Sequence, residues 1–283
     1  MRMVIKFAGA LLEDAATVKS LSRHVAELAQ QGHEILVIHG GGRIFTQTLH
    51  RFGIESRFVA GLRVTDRQTR DVAVMVFGGL LNKQLSGAIS AAGQPAVGIS
   101  ASDAAAFSAA PLVHNDTEGS LGFVGYLTGV QVKFLESLWR ENLVPVAACL
   151  GLGADGELYN INADHMAAAS AEFINADHLI YLTDVAGVLQ NDQVISAISC
   201  QEVESLVHSR VVSGGMVLKL EAAKRALEGG VREVHIIGGE AAAAVLDPRL
   251  FSGPAVKTAF SGLPGTRVFR EHSSDGQAAS VLV

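Results

Sequence analysis

Two lysines stand where lysine is costly. Lys6 lies in the apolar run Met3–Phe7, just ahead of Ala8-Gly9-Ala10, and a buried ammonium is tolerated only where it reaches water or an anion. It either snorkels to the surface or serves a ligand. Lys219 falls in the first turn of a helix signalled by Leu220, Ala223 and Leu227, behind Gly214-Gly215. A cation there opposes the helix dipole and needs a negative partner, which a phosphate or a surface carboxylate would supply. His39-Gly40-Gly41-Gly42 joins a predicted strand to a predicted helix. Three successive residues without Cβ let backbone N–H groups close on an anion at a helix N-terminus; a tight turn without ligand is the alternative. His39 itself reads as a packed strand-end residue.

Two further segments carry polar groups at element ends. In Asn160-Ile161-Asn162-Ala163-Asp164, Asn162 suits the cap of the next helix, which leaves Asp164 early on that helix and Asn160 on the loop. Thr183-Asp184-Val185-Ala186-Gly187-Val188 ends an apolar strand, where open α/β sheets form their ligand crevice, although an Asp-Gly turn has the same spelling. Gly151-Leu-Gly-Ala-Asp-Gly156 matches G-x-G-x-x-G by letter, yet Asp155-Gly156 signals a turn and no helix opens behind it. A G-x-x-x-x-G-K-[ST] phosphate loop is absent from the chain.

These groups need strands and helices to hold them. Met3–Phe7, Ile35–Ile38, Ala96–Ser100, Val144–Cys149, His178–Leu182 and Glu233–Ile237 read as short buried strands. Between them run helical patterns: Val18, Leu21, Val25 and Leu28 behind a capping Asp14; Ile44 to Phe52; a long one from Asp66 to Ala92; Gln131–Leu143; Ala163–Asn175; Gln201–His208; and Met216–Glu228. Pro111–Val130 alternates polar, glycine and apolar residues as hairpins do and suits a lid or wall over a site; Val194–Ile198 suits part of another hairpin. The alternation predicts an α/β three-layer sandwich around a central, mostly parallel sheet. Two lobes, residues 1–153 and 154–283, would share that sheet, with a soft boundary near Ala154.

Composition excludes other classes. Of 283 residues 49% are apolar and 18% charged, which favours a large buried core over extended disorder. A net charge of −6 gives no basic footprint for nucleic acid. Cys149 and Cys200 are far apart and outside metal-ligand spacing, which points to a reduced, cytoplasmic compartment. Met1–Leu12 is unlike a signal peptide, since Lys6 interrupts the apolar run and Glu13-Asp14 follow it. No uncharged apolar stretch reaches bilayer length, so no membrane is expected.

V-I-K-F-A-G, V-I-H-G-G-G, G-L-R-V-T-D, L-N-K, Y-N-I-N-A-D, L-T-D-V-A-G-V-L and G-G-M-V-L-K occur in that order within a stretch from about Val4 to Gly239. The set resembles the amino-acid kinase family, most closely its N-acetylglutamate kinases, and Gly61–Asp66 favours that branch. The resemblance implies the amino-acid kinase fold and transfer of the γ-phosphate of ATP to the side-chain carboxylate of N-acetyl-L-glutamate, in arginine biosynthesis. It implies that Lys6 and Lys219 stabilise the transferring group and that Asp164 holds them. Gly41, Gly42, Arg63 and Asn160 would bind the acceptor. Gly9, Thr183 and Asp184 would serve the nucleotide, with Mg2+ held mainly by phosphates and no protein metal site. A homodimer is also implied. Arginine-inhibited members carry an extra N-terminal helix, and a chain opening at the first strand resembles the inhibitor-insensitive form.

The chemistry agrees with that resemblance. A side-chain carboxylate, with a reference pKa of about 4.3, is already an ionised nucleophile at neutral pH, so no general base is needed. Positioning and positive charge suffice, and Arg63 suits a bidentate clamp on a carboxylate. Two departures stand out. Ala8 replaces a glycine usual in the family; its methyl is harmless in extended backbone and crowds the phosphates otherwise. Phe260–Val283 fits poorly beyond Gly265-Thr266-Arg267 and ends in what reads as a frayed polar tail. Acetylaminoadipate or a carrier-linked acceptor, and a ligand-sensing pseudokinase, are the alternative readings.

Overall fold

The first strand sets the architecture. In the computed structural model, which describes residues 1–113, 121–242, 246 and 264–271, β1 (Arg2–Phe7) is buried on both faces from Met3 onward. A strand of that kind must lie inside a sheet covered on both sides. It is followed by a 3-10 turn at Gly9–Glu13, then α1 (Ala15–Gln30), β2 (Glu34–His39) and α2 (Gly42–Arg51). Asp14 caps α1 by accepting from the Thr17 N–H at 2.7 Å, as its place before the helical pattern predicts.

A small hairpin follows, β3 (Phe58–Val59) with β4 (Leu62–Arg63). The long predicted helix is α3 (Arg67–Ala73) and α4 (Asn82–Ala91), joined without a break by a π-helical stretch, Val74–Leu81. By length and composition this helix could cross a membrane; half of its apolar window is buried inside the fold, as in a core helix. Next come β5 (Ala96–Ile99), β6 (Phe107–Pro111), β7 (Val124–Val130), α5 (Val132–Arg140) and β8 (Val144–Ala148). The chain continues through β9 (Leu150–Gly153), β10 (Leu158–Ile161), α6 (Ala163–Phe173) and β11 (His178–Thr183). Its remaining elements are β12 (Leu189–Gln190), β13 (Gln193–Val194), β14 (Ala197–Ser199), α7 (Cys200–His208), α8 (Gly215–Glu228), β15 (Glu233–Gly238) and β16 (Thr266–Phe269).

Among the described residues eight strands form one sheet in the order β14-β16-β15-β11-β1-β2-β8-β5. From β15 to β5 every pairing is parallel; β16 runs antiparallel to β15. One face packs Met3, Ile5, Val37 and Ile180 against Leu21, Val25 and Leu28 of α1 and Leu85 and Ile89 of α4. The other packs Val4, Leu36, Leu179 and Ile236 against Met166 and Ala167 of α6 and Leu220, Ala223 and Leu227 of α8. This is the three-layer α/β sandwich expected from the alternation.

Three local expectations change. The residues Pro111–Val130 do contribute an antiparallel pair, β6 with β7, but these strands close with β9 and β10 into a four-stranded barrel. Residues 114–120 of that segment lie outside the described residues. Only Val194 belongs to a hairpin, β12 with β13, whereas Ala197–Ser199 joins the edge of the main sheet. The stretch that fits the family poorly contains β16, wedged between β14 and β15; residues 260–263 and 272–283, the expected frayed end among them, lie outside the described residues. Its pairing partners, such as Ile236 for Thr266 and Ala197 for Arg267, are distant in the chain, which a local pattern does not encode.

Candidate active site

The carboxyl ends of β1, β2 and β11 open on one side of the sheet, where parallel α/β folds place their ligands. Lys6 is the penultimate residue of β1, and its side chain is nearly buried. Its Nζ lies 2.7 Å from Asp164 Oδ1. Lys219, from α8, donates to that same oxygen at 2.8 Å. The negative partner that Lys219 requires at its helix start is therefore Asp164. The cluster carries two ammonium groups on one carboxylate and keeps a net positive charge.

Asp164 is held from several directions. Asn162 caps α6, its Oδ1 accepting from the Asp164 and His165 N–H groups at 2.9 and 3.2 Å. That fixes the first turn of the helix, where an acidic side chain also meets the favourable end of the dipole. The Tyr181 hydroxyl donates to the Asp164 carbonyl at 3.0 Å, and the Tyr181 ring lies 4.8 Å from Lys219 Nζ. Burial opposes the ionised carboxyl, but Lys6 and Lys219 outweigh it and hold Asp164 well below the usual carboxylate range. Burial, with Lys6 beside it, brings the Lys219 ammonium down to about 8.

A cavity of about 270 Å³ opens over this cluster, lined by Lys6, Gly9, Gly40–Gly42, Arg63, Asn160 and Asp164 among others. Gly9 and the Gly40–Gly42 turn meet back to back. A Cβ on Gly9 would lie 2.6 Å from Gly42 N, and one on Gly41 would lie 2.3 Å from Leu81 Cδ1. Ala8 is extended, with φ −66° and ψ 144°, and its methyl packs on the α1 side of the core. Ala8 is not among the residues that line the cavity.

Arg63 forms the far wall. Its guanidinium lies between Phe45 and Phe58, 4.9 and 4.5 Å from their ring centroids. It donates to Thr46 Oγ1 at 2.7 Å and to Ser56 Oγ, and among the described residues it has no carboxylate partner. Asn160 donates to Thr65 Oγ1 at 3.1 Å, and that hydroxyl donates to the Arg63 carbonyl at 2.9 Å, so β10 and the Gly61–Asp66 segment are tied together. Phe45, Phe58, Phe77 and Cys149 also line the cavity, and sequence reasoning did not place them there. Phe45 carries a helical-period signal that is indistinguishable from a core role. Burial pushes the Cys149 thiol up to about 12, so it offers no thiolate.

Thr183 and Asp184 stand apart from this cavity. The Thr183 hydroxyl donates to Asp184 Oδ1 at 3.1 Å. Asp184 lines a second cavity of about 580 Å³, with Leu11, Val185, Ala186, Gly238 and Gly239 among its walls. The turn Gly9–Glu13 borders both spaces, Gly9 lining the first and Leu11 the second. The G-x-G-x-x-G match at Gly151–Gly156 is β9 and its turn into the antiparallel strand β10, with no helix opening directly behind the glycines, which removes a dinucleotide reading.

Residues 1–238 match the sequence profile of the Amino acid kinase family. An acetylglutamate kinase of Koribacter versatilis is 49% identical over 257 residues, covering 90% of this chain and 96% of that protein. An acetylglutamate kinase of Acidobacterium capsulatum is 44% identical over 243 residues, with 86% and 92% covered. Among solved structures, N-acetylglutamate synthase from Neisseria gonorrhoeae, complexed with coenzyme A and N-acetyl-glutamate, superposes with a TM-score of 0.80 at 24% identity. That likeness covers 96% of this chain, which spans 60% of the synthase chain. Carbamate kinase from Giardia gives a TM-score of 0.66 at 16% identity, over 95% of this chain and 99% of that one. These two share the fold, while the profile match and the sequence relatives establish kinship: the chain belongs to the amino acid kinase family.

Proposed function

We propose that the chain transfers the γ-phosphoryl group of ATP to the side-chain carboxylate of N-acetyl-L-glutamate, giving N-acetyl-L-glutamyl 5-phosphate, as a step of arginine biosynthesis in the cytoplasm. The observation that carries this reading is the pair of buried ammonium groups on one oxygen of Asp164, beneath a cavity whose opposite wall is a guanidinium. The similarity to acetylglutamate kinases over nine-tenths of the chain supports the acceptor.

In this reading Arg63 pairs with an acceptor carboxylate between its two aromatic walls, and Gly41, Gly42 and Asn160 contact the rest of the acceptor. The side-chain carboxylate attacks as an anion, so no residue has to remove a proton. Negative charge develops on the transferring oxygens, and Lys6 and Lys219 neutralise it from positions already fixed by Asp164. Gly9 borders the phosphates, and Asp184 with Thr183 serves the nucleotide from the second cavity. Residues 1–153 act as the acceptor and dimer lobe, and 154–283 as the nucleotide lobe.

Among the described residues, the linings of the two cavities offer little to a divalent cation. Asp164 is committed to two lysines, and Asp184 is the remaining carboxylate lining either cavity. That donor set fits Mg2+ bound mainly through phosphate oxygens, where the ion would add charge neutralisation. Homodimerisation is supported by the edge of β5, unpaired among the described residues, and by Met75 and Leu80 of the neighbouring long helix, which are 56% and 49% exposed.

Three outcomes are expected. In a coupled ADP-release assay with acetylglutamate, Lys6→Ala and Lys219→Ala should each lower kcat by about 10²- to 10³-fold with folding intact; variants within threefold of wild type would exclude both lysines from the transfer step. Free glutamate and acetylaminoadipate in the same assay check the acceptor. The kcat/KM for MgATP should fall above about pH 8, because Lys219 is protonated below that value and loses its charge above it. A profile flat to pH 9.5 would contradict this. Light scattering should give a dimer that Met75→Glu with Leu80→Glu converts to monomer, and a wild-type monomer would dismiss the interface.

A further inference from the structure

Beneath the Gly40–Gly42 turn lies a polar network that the phosphoryl-transfer reading leaves unused. His39 and Asn82 are both fully buried. His39 Nδ1 is 3.1 Å from the Gly40 carbonyl, and Asn82 Nδ2 is 3.2 Å from His39 Nε2. A carbonyl can only accept, so Nδ1 carries the ring proton and Nε2 accepts from the amide. The ring must then be neutral, and burial, which lowers its pKa to about 4, keeps it so.

Asn82 is itself anchored. Its Nδ2 donates to the Val146 carbonyl of β8 at 2.8 Å and lies 3.4 Å from the Ile99 carbonyl of β5. Its Oδ1 accepts from Lys83 Nζ at 3.2 Å, and Lys83 also donates to the Gly98 carbonyl at 2.7 Å. A Cβ on Gly98 would sit 2.0 Å from Asn82 Oδ1, so the strand leaves the space that this amide fills. Asn82 directly follows the π-helical stretch whose Phe77 and Leu81 press on Gly41. Such π insertions re-aim side chains and recur at functional sites. On the other side, Cys149 Sγ lies 2.7 Å from the His39 carbonyl.

We propose that Asn82 and His39 are positioning residues for phosphoryl transfer: Asn82 orients the His39 ring, and the ring fixes the Gly40 peptide, so that the Gly41 and Gly42 backbone faces the cavity in one conformation. Three glycines in succession have the least intrinsic preference for any one conformation, and an external hydrogen bond is what a turn of this composition needs. The alternative is a network that only stabilises the junction of β2, β8 and β5. The two differ in what a variant loses.

This inference rests on the acetylglutamate kinase reading, which wild-type turnover tests by itself; the variants test the network. His39→Phe and Asn82→Leu keep approximate shape and remove the hydrogen bonds, whereas His39→Gln retains a donor and an acceptor. Asn82→Asp keeps the shape and removes the donors, and it carries the Asn82 arm where Asn82→Leu does not fold. Steady-state kcat, both KM values, nucleotide-binding stoichiometry and melting temperature are measured on each. Positioning predicts a kcat per nucleotide-binding site reduced about tenfold or more in His39→Phe and the Asn82 variant, with KM for ATP within threefold. It also predicts recovery to within threefold of wild type in His39→Gln. The proposal is overturned by kcat within threefold of wild type in the apolar variants, by a loss in His39→Gln equal to that in His39→Phe, or by losses that follow only the fraction of sites able to bind nucleotide. Failure of every His39 and Asn82 variant to fold would equally assign the network to stability.

Discussion

The site depends on one carboxylate oxygen that receives two ammonium groups. Lys6, Lys219 and Asp164 come from β1, α8 and α6, so this contact locks the central sheet and two helices of one outer layer at one point. Buried charges are costly, and removing one partner of such a pair typically costs about 3–5 kcal/mol because the other is left uncompensated. Here compensation is incomplete in charge. One negative group serves two positive ones, and of the two lysines Lys6 lines the cavity. In the proposed reading an incoming phosphate completes the neutralisation, so the same imbalance favours that ligand and, more strongly, a transferring group of higher negative charge.

The fold supplies the geometry from backbone regularities. Parallel strands align their carboxyl ends, which brings Lys6 of β1, the glycine turn after β2 and Asp184 after β11 to one side of the sheet. The cap at Asn162 then fixes where α6 begins and so where Asp164 points. Gly9 and Gly42 approach too closely for a side chain between them. Less regular parts, the β3–β4 hairpin, the π-helical stretch and the small barrel, bring Arg63, Phe77 and Asn160 to the cavity, where the proposed function has Arg63 and Asn160 bind the acceptor.

Much of this is legible in the residues alone. A lysine inside an apolar strand, a run of three glycines and an Asn before a helical pattern are local anomalies, each with a local physical reason. The strand and helix alternation implies the sandwich for the same reason. What escapes such reading is non-local. Phe45 and Phe58 flank Arg63 only because α2 and the β3–β4 hairpin meet in space. The π-helical stretch has the composition of an ordinary apolar helix. The pairing of β16 between β14 and β15 joins segments with no shared pattern. Letters mislead at Gly151–Gly156, where a hairpin happens to spell a nucleotide motif. Ala8 poses a conformational question, and its extended backbone answers it.

Phosphorylation of a carboxylate yields an acyl phosphate, and that species can be caught. Hydroxylamine added to the purified protein with MgATP and N-acetyl-L-glutamate traps it as a hydroxamate, which mass spectrometry identifies while ADP is counted in parallel. The expected result is acetylglutamyl hydroxamate in equal amount to ADP, dependent on both substrates. ADP without hydroxamate, or neither product from folded protein, would contradict carboxylate phosphorylation by this chain.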